Sequence, residues 1–275
     1  MPNLFNSSPW FTTIPTNTVS SETDSPSYFR AISISFPGSK KGSLASRIAK
    51  IFFDEIVSKC DFGIDLHTAA IHKSNLPQVR TNLNNEFTNN LAKKFEAPIV
   101  LHSEIRDGSL RGEAFEKGIP VLLYEAGEAL RFDETSIRIG VKGIVNVLRE
   151  LDMLPAVSKK RKYKMPIVTR SSQWIRSTES GVIRTIKALG DIVKENEVIA
   201  YVDEPLDDES FEIKASFDGV IIGKSEIPLI QEGDAIFHIA KLSDLEIAED
   251  KIEYFNENAI ETSEFIELKE EDIIE

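Results

Sequence analysis

The sequence predicts an α/β sheet with helices on both faces, followed by an all-β unit of barrel or sandwich type. Three observations predict this. Between residues 43 and 151, short and nearly all-apolar runs alternate with segments of helical period, the pattern of strands buried on both faces. From residue 165, short strand-like runs are separated by turns containing Gly and Asp, as in all-β units. The chain has 275 residues, 41% of them hydrophobic, which suffices for one sizeable core and a second, smaller one.

Residues 1–35 are rich in Ser, Thr, Asn and Pro without a period; "NTVSSETDSPS" reads as loop or as a disordered or non-homologous segment. Order is expected from "FPGSKKGS". In "SLASRIAKIFFDEIVSK", Leu44, Ile48, Phe52 and Ile56 stand four apart, one face of a helix, with Ser43 as its N-cap. "FGIDLH" reads as a short buried strand. "NNEFTNNLAKKFEA" reads as a helix with Phe87, Leu91 and Phe95 on one side. "PIVLH" is a strand, "SLRGEAFEKG" a short helix ending at Gly118, "PVLLYEAG" a continuous apolar strand, and "ETSIRIGVKGIVNVLRELDML" a long amphipathic helix. "SKKRKYK" (158–164) is a basic linker, with a nucleic-acid patch as the alternative. Residues 165–243 form the all-β unit. Its "GDIVKENEVIAYV" and "SFDGVIIG" resemble the biotinyl/lipoyl-type barrel, but no lysine stands in a carrier hairpin, so a cofactor carrier is not expected.

The net charge of −13 is concentrated in residues 244–275, where 13 Asp/Glu face two Lys. This acidic tail is expected to be disordered or loosely helical, and the rest of the chain is near neutral. The charge argues against nucleic acid as a partner. Cys60 is the one cysteine, so no internal disulfide forms and a reducing, cytoplasmic setting fits. No run of about 18 apolar residues occurs, and a membrane partner is not expected. The N-terminus lacks the basic and apolar regions of a signal peptide.

His67 and Glu125 each end a predicted strand. In open α/β sheets, ligands gather outside the carboxyl ends of strands, so these side chains can share a crevice. A neutral imidazole suits zinc, and a nearby Glu suits a base that takes a proton from water. A strand-end His is also common as a structural residue, and a carboxylate in an apolar run must be solvated or paired. Asp65 either orients His67 or caps a neighbouring turn. His72 and His102 read as hydrogen-bonded surface or loop residues, His238 as structural, and Glu128 as a surface or helix-start charge.

"FPGSKKGSLASRIA", "GIDLHT", "NLPQVR", "RDGSLR" and "GIPVLLYEAGEALRFDE" together resemble the succinylglutamate desuccinylase/aspartoacylase family, relatives of zinc carboxypeptidases. The resemblance spans roughly residues 36–240. It implies a zinc-carboxypeptidase-like mixed sheet over 36–157 and a Zn(2+)-dependent hydrolase cleaving an amide or ester of a small N-acyl amino acid-like substrate. It further implies His67 as a metal ligand, Glu125 as the catalytic base and Arg80 as a holder of the substrate carboxylate; a structural salt bridge is the alternative for Arg80. The partners expected are this small acylated molecule and, as an open alternative, other copies of the chain.

The family's upstream His/Glu ligand motif has no counterpart here, and "AISISFPG" stands where the family has Asp-Leu-Asn-Arg before its Phe-Pro-Gly. The sequence therefore reads as N-terminally incomplete, through frameshift, truncation or genuine loss, with two zinc ligands absent. The competing expectations are a metal-free remnant acting as a binding or interaction protein, and a β module that recruits a partner.

Overall fold

A computed structural model of the chain describes residues 35–105, 108–156, 165–205 and 209–258, together with the two-residue strand β1 (Thr16–Asn17). The remainder of the N-terminal segment, the basic linker 158–164 and the acidic residues from 259 onward lie outside the described residues.

Helix α1 (Leu44–Glu55) starts where the Ser43 side chain accepts a hydrogen bond from the Ser46 N–H, the N-cap that the sequence predicts. Its buried face differs from the expected one. Ala45, Ala49 and Phe53 are inside, whereas Leu44 and Ile48 are exposed. The stripe one residue along from the larger apolar side chains is the one that meets Phe36, Val57 and Val121, because its alanines allow close approach.

β2 (Gly63–Thr68), β4 (Ile99–His102) and β5 (Val121–Gly127) fall on the predicted apolar runs. β3 (Lys73–Thr81) was not expected. It contains Pro77, which donates no backbone hydrogen bond and normally argues against an interior strand. Here the proline sits in a register shift, where Asn75 to Gln78 on β3 oppose Gly127 to Glu125 on β5, so no regular ladder bond is lost there.

β2 and β5 are parallel, and β3 runs antiparallel to β5. Helices α2 (Glu86–Lys94) and α4 (Glu134–Glu150) cover one face. Their Leu91, Ala92, Ile139 and Val147 bury with Val79, Leu122 and Tyr124. On the opposite face, α1 and α3 (Leu110–Glu116) close over Ile119 and Val121. The result is a mixed α/β fold with a mixed sheet.

The remaining strands are β6 (Ile167–Thr169), β7 (Ser172–Arg176), β8 (Gly181–Thr185), β9 (Ile192–Val193), β10 (Val198–Asp203), β11 (Ser210–Lys214), β12 (Gly219–Ser225), β13 (Leu229–Ile230) and β14 (Ala235–Lys241). They divide between two sheets. β8, β10, β11 and β13 form a separate four-stranded sheet. β12 instead pairs with β3, so the ten-stranded sheet runs on from the α/β half through β12 and β14 to β7. The expected break between two units is thus bridged by backbone hydrogen bonds. Ile199, Val202 and Ile213 of the smaller sheet pack on Ile175, Phe237 and Ile239 of the larger.

The acidic segment begins as helix α5 (Leu245–Asn258), which buries Ala248 and Ile252. Among the described residues, no helix is long and apolar enough to cross a membrane.

Candidate active site

Side chains that face each other across neighbouring strands project to the same side of a sheet. His67 of β2 faces Glu125 of β5, and Glu125 faces Gln78 of β3. One step along, Asp65 faces Leu123, which faces Arg80. The register therefore sets Asp65, His67, Gln78, Arg80 and Glu125 on one face. Leu122, Tyr124 and Ala126 point the other way, into the apolar core. Gly127 ends β5 at a φ of +68°, a conformation that a β-carbon disfavours. There the chain turns away towards α4.

Two contacts organise the face. His67 Nε2 lies 3.0 Å from Asp65 Oδ2. Arg80 Nε lies 2.7 Å from Glu125 Oε2. Neither of these two atoms has an aligned hydrogen bond among the described residues, so the pair is an electrostatic contact rather than a directed one. Glu125 is 7% exposed, and a carboxylate that deep needs such a countercharge. Half-buried Arg111 braces the strand ends: its guanidinium donates to Ser103 Oγ at 2.9 Å and to the Glu104 carbonyl at 2.8 Å, with a longer bond of 3.5 Å to the Arg80 carbonyl. The sequence motif containing Arg111 was visible, but nothing in its pattern assigned this arginine a position.

The other histidines lie elsewhere. His72 is exposed at a turn, and His102 Nδ1 accepts from the Leu83 N–H. His238 is stacked on Trp174 at 4.8 Å, with Nε2 2.8 Å from Ser172 Oγ. Burial, followed by the positive charges of Arg80 and Lys73, pushes its pKa down to about 3. It is thus a neutral core imidazole, the structural role read from the sequence. Glu128 starts no helix. It accepts from the His72 N–H and pairs with Arg131, while Asp133 caps α4.

A catalytic zinc takes about three protein ligands and keeps an open position. All four histidines and the one cysteine are among the described residues, and only His67 stands on this face. Among the described residues, no group of three or more His, Cys, Asp or Glu could hold a metal ion. These residues by themselves do not fit a zinc centre.

Fold and face together define a mixed α/β fold that carries His67 and Glu125 at the carboxyl ends of two parallel strands. Residues 34–151 match the model of the succinylglutamate desuccinylase/aspartoacylase catalytic domain, a family whose members are hydrolases. No curated protein matches the chain. Among solved structures, a succinylglutamate desuccinylase/aspartoacylase from Rhodobacter sphaeroides is 21% identical with a TM-score of 0.69, over 80% of this chain and 70% of its own. The apo form of the ectoine utilization protein EutE (DoeB) from Ruegeria pomeroyi is 21% identical with a TM-score of 0.68, over 77% of this chain and 70% of its own. A succinylglutamate desuccinylase from Silicibacter is also 21% identical, with a TM-score of 0.65 over 76% and 67%. At these identities the likeness concerns the fold.

Proposed function

We propose that the polar face binds a small N-acyl amino acid-like molecule and that the protein hydrolyses its amide or ester bond. The convergence of Glu125 and Arg80 beside His67, at the carboxyl ends of β2 and β5, supports this reading most. Arg80 supplies the countercharge beside Glu125 and offers the outer part of its guanidinium to a substrate carboxylate. Glu125 is the base that takes a proton from the attacking water. Asp65 fixes the ring of His67. Zinc is the metal that the family resemblance brings, and His67 is the one imidazole this face offers it. The single cysteine, Cys60, whose thiol pKa is raised by burial and by neighbouring Asp61, suits a reducing cytoplasm.

The test is hydrolysis of N-acetyl- and N-succinyl-amino acids by protein purified with zinc supplied. Glu125→Gln is expected to lower turnover by about a hundredfold to ten-thousandfold while the fold, followed by circular dichroism, stays intact. Undiminished turnover in that variant removes Glu125 from the base role.

A second reading is a metal-free binding protein. It is favoured by the pairing already in place: both carboxylates of the face have cationic or imidazole partners. Elemental analysis separates the two readings. Stoichiometric zinc that disappears in His67→Ala supports the hydrolase; ligand binding with neither zinc nor turnover supports the binding protein.

A further inference from the structure

Gln78 stands at the β3 end of the row His67–Glu125–Gln78 and is fully buried. Its side-chain amide is anchored at one end only. Nε2 donates to the Leu76 carbonyl at 3.3 Å and to the Ile222 carbonyl of β12 at 3.2 Å. Oε1 has no partner among the described residues. The amide cannot be turned over, because its oxygen would then confront two carbonyl oxygens. A buried acceptor without a donor is costly, and it marks a place where a donor is missing.

The surroundings say which donor fits. Gln78 faces Glu125 directly across the β3–β5 pair, one strand spacing of about 5 Å away. Arg80 follows two residues later on the same strand and face. A water activated at Glu125 attacks an acyl carbon, and the N–H of an amide substrate is bonded to that carbon. We propose that Gln78 is a specificity-determining residue whose Oε1 accepts the N–H of the scissile amide, so that β3 reads the amino-acid half of the substrate through Gln78 and Arg80 while the acyl half lies towards His67. This rests on the hydrolase reading of the face. It also gives the β3–β12 junction a task, since the Ile222 carbonyl holds the Gln78 amide in its working orientation.

The test compares two probes that differ at one atom, N-acetyl-L-aspartate and its ester analogue O-acetyl-L-malate, by calorimetric Kd. Unsubstituted protein is expected to bind the amide about tenfold or more tightly, because the ester oxygen meets an acceptor instead of offering a donor. Gln78→Met, similar in volume, is expected to bring the ratio near one by weakening the amide alone. Equal affinities in the unsubstituted protein overturn the proposal, whether or not the variant folds. Equal weakening of both probes in Gln78→Met also overturns it and assigns Gln78 a packing role. Binding of neither probe removes the hydrolase reading and this inference with it. A preference for the amide that persists in Gln78→Met overturns the inference while leaving that reading in place.

Discussion

The two sides of β5 are built from one stretch of seven residues and do opposite things. On one side Leu122, Tyr124 and Ala126 enter the apolar core, where the Tyr124 ring stacks on Phe95 at 5.0 Å and its hydroxyl donates to the Ser136 carbonyl. Burial raises the pKa of that hydroxyl, so it stays neutral. On the other side Val121 packs beneath α1 and α3, and four residues further along Glu125 contacts Arg80 diagonally across the strand pair. The apolar side draws its stability from dispersion and the removal of surface from water. The polar side gains little net stability, because the pairing of its charges mainly offsets their desolvation. The packed side of the strand sets the positions from which the charged groups of the other side project.

The comparison is broken most severely from the apolar side. Phe95 is fully buried, and its ring lies over Gly143 of α4, so close that a β-carbon there would overlap the ring. Phe95→Ala is expected to lower the unfolding free energy by about 3–5 kcal/mol, measured by denaturant titration. A loss below about 1 kcal/mol would show that α2 and α4 do not depend on this contact.

A smaller effect is expected from the polar side. Arg80→Ala leaves Glu125 buried without its countercharge and is expected to cost about 2–3 kcal/mol, somewhat under the range for fully buried pairs because Arg80 is partly exposed. In Arg80→Ala/Glu125→Ala the second substitution should recover part of that loss, and a double-mutant cycle measures the coupling. Strict additivity would mean that the 2.7 Å contact carries no energy.

The smallest effect sharpens the comparison by pH. His238 is neutral in the folded protein, with its pKa lowered from 6.5 to about 3. Below about pH 6.5 the unfolded chain binds a proton that the folded one does not, so folding stability falls as pH falls. The loss from this group reaches about 2 kcal/mol by pH 5. His238→Asn removes the titrating ring, and its stability, measured at pH 7 and pH 5, is expected to change less by about that amount. Equal pH slopes in both proteins would place the ring in contact with solvent.

Much of the α/β half was legible because strands buried on both faces are written as continuous apolar runs; β2, β4 and β5 lie where "FGIDLH", "PIVLH" and "PVLLYEAG" predict. His67 and Glu125 stood out because each ends such a run. β3 was hidden by Pro77, whose effect is removed by a register shift that only the pairing with β5 reveals. The inward side of α1 was misread because two adjacent stripes both repeat at helical spacing, and size favoured Leu44 and Ile48 over Ala45 and Ala49. Gln78 gave no signal of its own, since a lone glutamine in a Pro-containing segment has no pattern that marks burial.

The sequence by itself therefore determined the local order of strands and helices and the residue types able to do chemistry, because period and apolarity are properties of neighbouring residues. The tertiary structure decided which of those residues meet. Strand register brings His67, Glu125 and Gln78 into one row, and the pairing of β12 with β3 ties the Gln78 amide to the Ile222 carbonyl. Those pairings join segments as far as 144 positions apart, a separation over which neighbouring-residue patterns carry no information.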